Sequence, residues 1–156
     1  MSSERYPIPG NRCRTEQEIK RSRFVTTVQH ADSVSSAKQF VDQIKCEFPD
    51  ASHNCWAFLI GRPGDSGNVG MSDDGEPHGT AGRPMLTVLI HSGVGGIVSV
   101  VTRYFGGTKL GKGGLVRAYS GGVQRALQEM RLTYRVQYAA LAVTLNYASV
   151  SSFKLL

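Results

Sequence analysis

Residues 97–130 change hydrophobic period once, and that change limits the possible folds more than any other feature of the chain. Ile97 to Phe105 (IVSVVTRYF) is a nearly continuous apolar run rich in β-branched residues, the pattern of a central strand. From Gly113 to about Met130, the residues Leu115, Val116, Tyr119, Val123, Ala126, Leu127 and Met130 recur at the spacing of one helix face. Between the two lies GGTKLGKGG, Gly106 to Gly114, which has the composition of a turn. A strand, a glycine turn and a helix in direct succession call for a layered α/β arrangement, because each apolar face must be covered by another layer.

The rest of the chain repeats this alternation. Arg23 to Gln29 (RFVTTVQ) reads as a strand. Asp32 or Ser33 then caps a helix running to about Phe48, with Val34, Ala37, Phe40, Val41, Ile44 and Phe48 at helical spacing and Pro49 as its stop. His53 to Ile60 is a mostly buried strand, followed by a loop, GRPGDSGNVG. A short helix covers about Arg83 to His91, with Pro84 in its first turn. Gly121 and Gly122 lie inside the long helix, where each costs about 1 kcal/mol relative to alanine. They call for close approach to a neighbour, or else mark a kink. A further alternating strand runs from Thr133 to Tyr147, and ASVSSFKLL begins another helix. The expected organisation is one domain over residues 1–132 and the start of a second over 133–156.

Charge is distributed as unevenly as glycine. No carboxylate occurs between Glu76 and Glu129, while Arg83, Arg103, Lys109, Lys112, Arg117 and Arg125 all lie in that interval. These residues account for the whole formal net charge of +6. Clustered cations attract anions, so nucleic acid, a nucleotide or an acidic protein face is the expected class of partner. The N-terminus lacks an apolar signal region, and no apolar stretch is long enough to span a membrane. Cys13, Cys46 and Cys55 match neither a redox pair nor a zinc site, which fits a reducing cytoplasm.

Read from Gly106, GGTKLGKG matches a phosphate-binding P-loop for seven positions and then has Gly113 where the magnesium-binding hydroxyl belongs. The preceding strand ends in Thr102 and Arg103 rather than an acidic metal ligand, so nucleotide hydrolysis is not expected. Anion binding is expected, by Arg83, Arg103, Lys109, Lys112 and Arg117, by the backbone of Gly106, Gly107, Gly113 and Gly114, and with Tyr104 or Phe105 stacking on a base.

A second polar motif, SDDGEPHGTAGRP, gathers Asp73, Asp74, Glu76, His78 and Thr80. Its spacing is not that of a calcium loop, and no second His or Cys stands nearby for zinc, so neither metal nor cofactor is expected. Asp74-Gly75 suits a turn, and the carboxylates are placed to pair with the basic loop. The alternative is an enzyme acting on a phosphorylated small molecule, with this motif as base or metal ligand. His53 and Cys55 share a strand face, but a buried strand cysteine is ordinarily inert.

Together, SDDGEPHGTAGRPML and VVTRYFGGTKLGKGGLVRAYSGGV resemble the signature of the YigZ/IMPACT family, and the likeness runs from about Lys20 to Met130. The resemblance implies a two-layer α/β (α+β) sandwich with a mixed sheet, similar to the second domain of a small-subunit ribosomal protein and to domain four of elongation factor G. It also implies that a ferredoxin-like domain begins after it. Eukaryotic IMPACT proteins regulate translation by competing for the activator of a kinase that phosphorylates an initiation factor. The resemblance therefore implies a translation-related binding protein with RNA or a ribosome-associated protein as partner. It carries no catalytic role to Asp73, Asp74, Gly75, Glu76, Gly79, Thr80 or Gly82, nor to the second motif.

Overall fold

The computed structural model describes residues 3–64 and 67–138. Among these, the elements run β1 (Ser3–Pro9), β2 (Cys13–Ile19), β3 (Ser22–His30), α1 (Val34–Glu47), β4 (His53–Leu59), β5 (Val69–Ser72), α2 (Gly82–His91), β6 (Ile97–Tyr104), α3 (Gly111–Glu129) and β7 (Leu132–Tyr138). The main sheet has the order β2-β3-β6-β4-β5, and β1 and β7 form a separate two-stranded sheet. The α+β class is therefore as expected. So are the elements at 22–30, 34–47, 53–59, 82–91, 97–104 and 111–129, each within a residue or two of its expected ends.

Two expected details of the fold need correction. The sheet is not mixed, because every pairing in it is antiparallel. The crossover β3-α1-β4 does return the chain in the same direction, but β6 is inserted between those strands and runs opposite to both. Nor are the helices confined to one face. Alternation along β6 sends Ile97 and Val101 toward α2 and α3, and Val98 and Val100 toward α1. The sheet thus carries an apolar core on each side, the larger built with Met85, Leu89, Leu115 and Tyr119, the smaller with Phe40, Val41 and Ile44. That explains why the β6 run is apolar without alternation.

Local chemistry sets the element ends. Ser33 caps α1 by accepting from the Ser36 amide at 3.0 Å, while Ser36 returns the contact to the Ser33 amide at 3.1 Å. Within α3 the paired glycines have different surroundings. A Cβ on Gly122 would fall 2.6 Å from Thr26 Oγ1, so helix and sheet approach there at a distance only glycine permits. A Cβ on Gly121 would meet nothing within 4 Å.

Sequence patterning misses β1, β2 and β5. Strand β2, CRTEQEI, is an edge strand whose Arg14, Glu16 and Glu18 face solvent, and its inward face, Cys13, Thr15, Gln17 and Ile19, mixes polar and apolar residues too evenly to register. Strand β5 starts inside the segment expected to be loop, and its Gly70 pairs with Phe58, whose ring occupies the place of a side chain. The strand expected from Thr133 begins at Leu132 and pairs with β1. Its continuation to Tyr147, the helix after it and the rest of the expected second domain lie outside the described residues.

Candidate functional site

The two sequence motifs meet, and they meet in the interior. Asp74 and Gly75 both take positive φ, 41° and 89°, and the Glu76 amide donates to the Asp73 carbonyl at 2.9 Å, which makes residues 73–76 a tight turn. The turn drives Glu76 inward, where it is 7% exposed. Arg103 Nη1 donates to its two carboxylate oxygens at 3.1 and 2.9 Å, and the Tyr119 hydroxyl donates to Oε2. His53 Nε2 stands 3.5 Å from Oε1, and its Nδ1 lies 2.8 Å from the Asp74 carbonyl. Burial pushes the Tyr119 phenol far above its ordinary pKa, so it remains a donor to the carboxylate.

Asp73 is equally committed. Its carboxylate accepts from the amides of Gly79 at 2.9 Å, Ala81 at 3.1 Å and Gly82 at 2.8 Å, so it caps the start of α2, which has no cap of its own. Burial alone would raise its pKa. The three amides, aided by His78, outweigh that effect and hold the group below the usual carboxylate range. Asp74 accepts from the Asn54 amide at 2.7 Å. Thr80 is buried, with its hydroxyl on the Pro77 carbonyl at 2.5 Å. Cys55 is buried, donates to the Asp73 carbonyl at 3.0 Å, and is held by burial well above an ordinary thiol pKa. His78 is exposed.

Arg103 was expected to contact an anion, and its placement differs. It is 5% exposed, bonded to Glu76 and to Ser22 Oγ at 3.2 Å, and its guanidinium lies over the rings of Phe24 and Phe105. Sequence shows its charge but not its depth. Tyr104 is also engaged: its hydroxyl donates to Asp50 at 3.0 Å and Arg23 covers its ring. Phe105, by contrast, is half exposed.

The remaining cations face outward. Arg83, Lys109, Lys112, Arg117 and Arg125 are exposed, and none has an ion-pair partner among the described residues. Gly107 and Gly111 take positive φ, 91° and 76°, so the loop turns tightly into α3. Gly113 and Gly114 form the first turn of that helix, and the Leu110 side chain nearly fills the space beside Gly114. Gly106 packs so closely on the β2–β3 turn that a Cβ would lie 1.9 Å from the Arg21 carbonyl. The buried Ser22 hydroxyl joins the two segments by accepting from Arg103 and, at 3.4 Å, from the Gly106 amide.

Sequence reasoning missed that turn. Lys20 and Arg21 form the two-residue connection between paired Ile19 and Ser22, with φ of 46° and 71°, a conformation ordinarily supplied by Asn-Gly. Beside it, an open groove of about 420 Å³ separates the hairpin from α3. Gln17, Ile19 and Lys20 line one wall, and Arg117, Gly121 and Arg125 the other. The available signal was the basic dipeptide between two alternating segments.

This arrangement defines an α+β domain in which the carboxylates of the 73–76 turn are tied into the fold while Lys20, Arg117 and Arg125 edge an open groove. The Impact N-terminal domain model matches residues 20–127, and the chain belongs to the IMPACT family. It is 45% identical over 153 residues to the IMPACT family member YigZ of Escherichia coli (strain K12), covering 98% of this chain and 75% of YigZ. An IMPACT family member of Haemophilus influenzae is 46% identical over 145 residues, 93% of this chain and 70% of that protein. A crystal structure of an hypothetical protein aligns with a TM-score of 0.82 at 51% identity, over 85% of this chain and 64% of that one. Among the described residues, no helix is long and apolar enough to cross a membrane.

Proposed function

We propose that this chain is a non-enzymatic, cytoplasmic, translation-related binding protein that holds single-stranded RNA against its basic face. The observation that carries the reading is the division of charge. The motif's carboxylates are used within the fold, whereas Arg83, Lys109, Lys112, Arg117 and Arg125 stand exposed without partners among the described residues. Phosphate neutralisation needs that surface, and the exposed ring of Phe105 supplies a face for base stacking. The same division weighs against a base or metal-ligand role for Asp73, Asp74 or Glu76, because their oxygens already accept hydrogen bonds.

The test is binding of a mixed-sequence single-stranded RNA at several salt concentrations. With about four phosphate contacts, log affinity falls against log salt with a slope near −3. Lys109→Ala with Lys112→Ala weakens binding and reduces the slope by about 1.4, at about 0.7 for each lost contact. Absence of salt-dependent RNA binding overturns the proposal.

A further inference from the structure

Gly121 is a residue of α3 whose presence the fold leaves unexplained. Its neighbour Gly122 is required by contact with Thr26, but an alanine Cβ at 121 would enter open space and improve the helix. That open space is the groove between α3 and the β2–β3 hairpin. Three cations edge it: Lys20, held on a turn of unfavourable backbone geometry, and Arg117 and Arg125 on the helix. None is ion-paired among the described residues. Arg117 and Arg125 lie eight residues apart, about 12 Å along the helix axis at 1.5 Å per residue. That spacing leaves room for consecutive phosphates of one strand. The Gln17 side chain, with no hydrogen-bond partner among the described residues, adds a donor and an acceptor to the opposite wall.

We infer that this groove is the seat of the RNA backbone, with phosphates held by Lys20, Arg117 and Arg125, a ribose hydroxyl held by Gln17, and Gly121 keeping the floor clear for close approach. The inference rests on the RNA reading above and extends it from the glycine loop to a defined channel. It also assigns a preference for RNA over DNA, because the 2′-hydroxyl both donates and accepts, as the glutamine amide does.

The experiment measures fluorescence anisotropy of a labelled single-stranded oligoribonucleotide and its deoxy counterpart against the wild-type chain and five variants. Gly121→Ala raises the urea midpoint yet weakens RNA binding at least several-fold, a combination that a merely structural glycine does not give. Arg117→Gln with Arg125→Gln lowers the magnitude of the salt slope by about 1.4. Gln17→Ala reduces the RNA-to-DNA affinity ratio while leaving DNA affinity unchanged. Gly122→Ala serves as the contrast, because it lowers the urea midpoint through its clash with Thr26. If Lys109→Ala with Lys112→Ala weakens RNA binding but the Gly121 and Arg117/Arg125 variants bind as the wild type does, the groove assignment falls and the RNA reading stands. If the wild-type chain binds neither oligonucleotide, both fall, and an acidic protein partner becomes the alternative.

Discussion

At the scale of single residues, Glu76 does most to connect the two motifs. Its carboxylate receives Arg103 from β6 and Tyr119 from α3 while sitting on the turn before α2, so one side chain ties three segments together. A buried ion pair is costly to break from one side, because the remaining charge is left without compensation. Glu76→Gln is therefore expected to destabilise the chain by about 3–5 kcal/mol in urea unfolding. Adding Arg103→Met to that variant restores part of the loss, since it removes the stranded charge. Equal losses for the single and double variants would show that the ion pair does not hold the motifs together. The sequence suggested that acidic and basic motifs pair, but it did not indicate which members do so. Arg103 and Lys109 are both cations in glycine-rich surroundings, but alternation along β6 sends Arg103 into the core, whereas Lys109 lies exposed in the loop that follows the strand.

At the scale of elements, α2 depends on a residue outside its own first turn. Ala81 offers no side-chain cap, and Asp73 accepts from the amides that would otherwise be orphaned. Because the folded-state pKa of Asp73 is depressed, its contribution to stability is fully present above the unfolded value of about 3.9 and is lost as pH falls through the folded value. Replacing Asp73 by Ala is expected to cost on the order of 2 kcal/mol at pH 7, at the upper end for a lost cap. The difference from wild type shrinks below about pH 4, as the wild-type carboxylate itself becomes protonated. A pH-independent difference in unfolding free energy would remove the charge from this account. Elements built around a strong apolar period, such as α1 and β6, were legible because burial and periodicity agree there. Strands β2 and β5 were not: an edge strand with one solvated face and a four-residue strand containing a glycine give too little alternation to separate them from loop.

At the scale of the whole molecule, the α+β class was legible from alternating strand and helix patterns, whereas strand order was not. Order depends on which strand enters the gap left by a crossover, and hydrophobic period carries no information about that. The same limit hid the groove, whose walls come from residues 17–20 and 117–125 and become neighbours only once α3 lies across β2 and β3. The pairing of β1 with β7, Ser3 opposite Tyr138 through Pro9 opposite Leu132, has a kinetic consequence. This ladder joins segments separated by nearly the full described length, so its closure carries the largest loop entropy of any pairing among the described residues. The five-stranded sheet requires none of its hydrogen bonds. Refolding should therefore proceed in two stages, with the central sheet acquiring amide protection first and residues 3–9 and 132–138 last. Pulse-labelling hydrogen exchange tests this order, and simultaneous protection of both sheets would refute it. During synthesis, the segment 3–9 would wait without its partner strand until residue 138 had been added, although β2 to α3 were already able to fold.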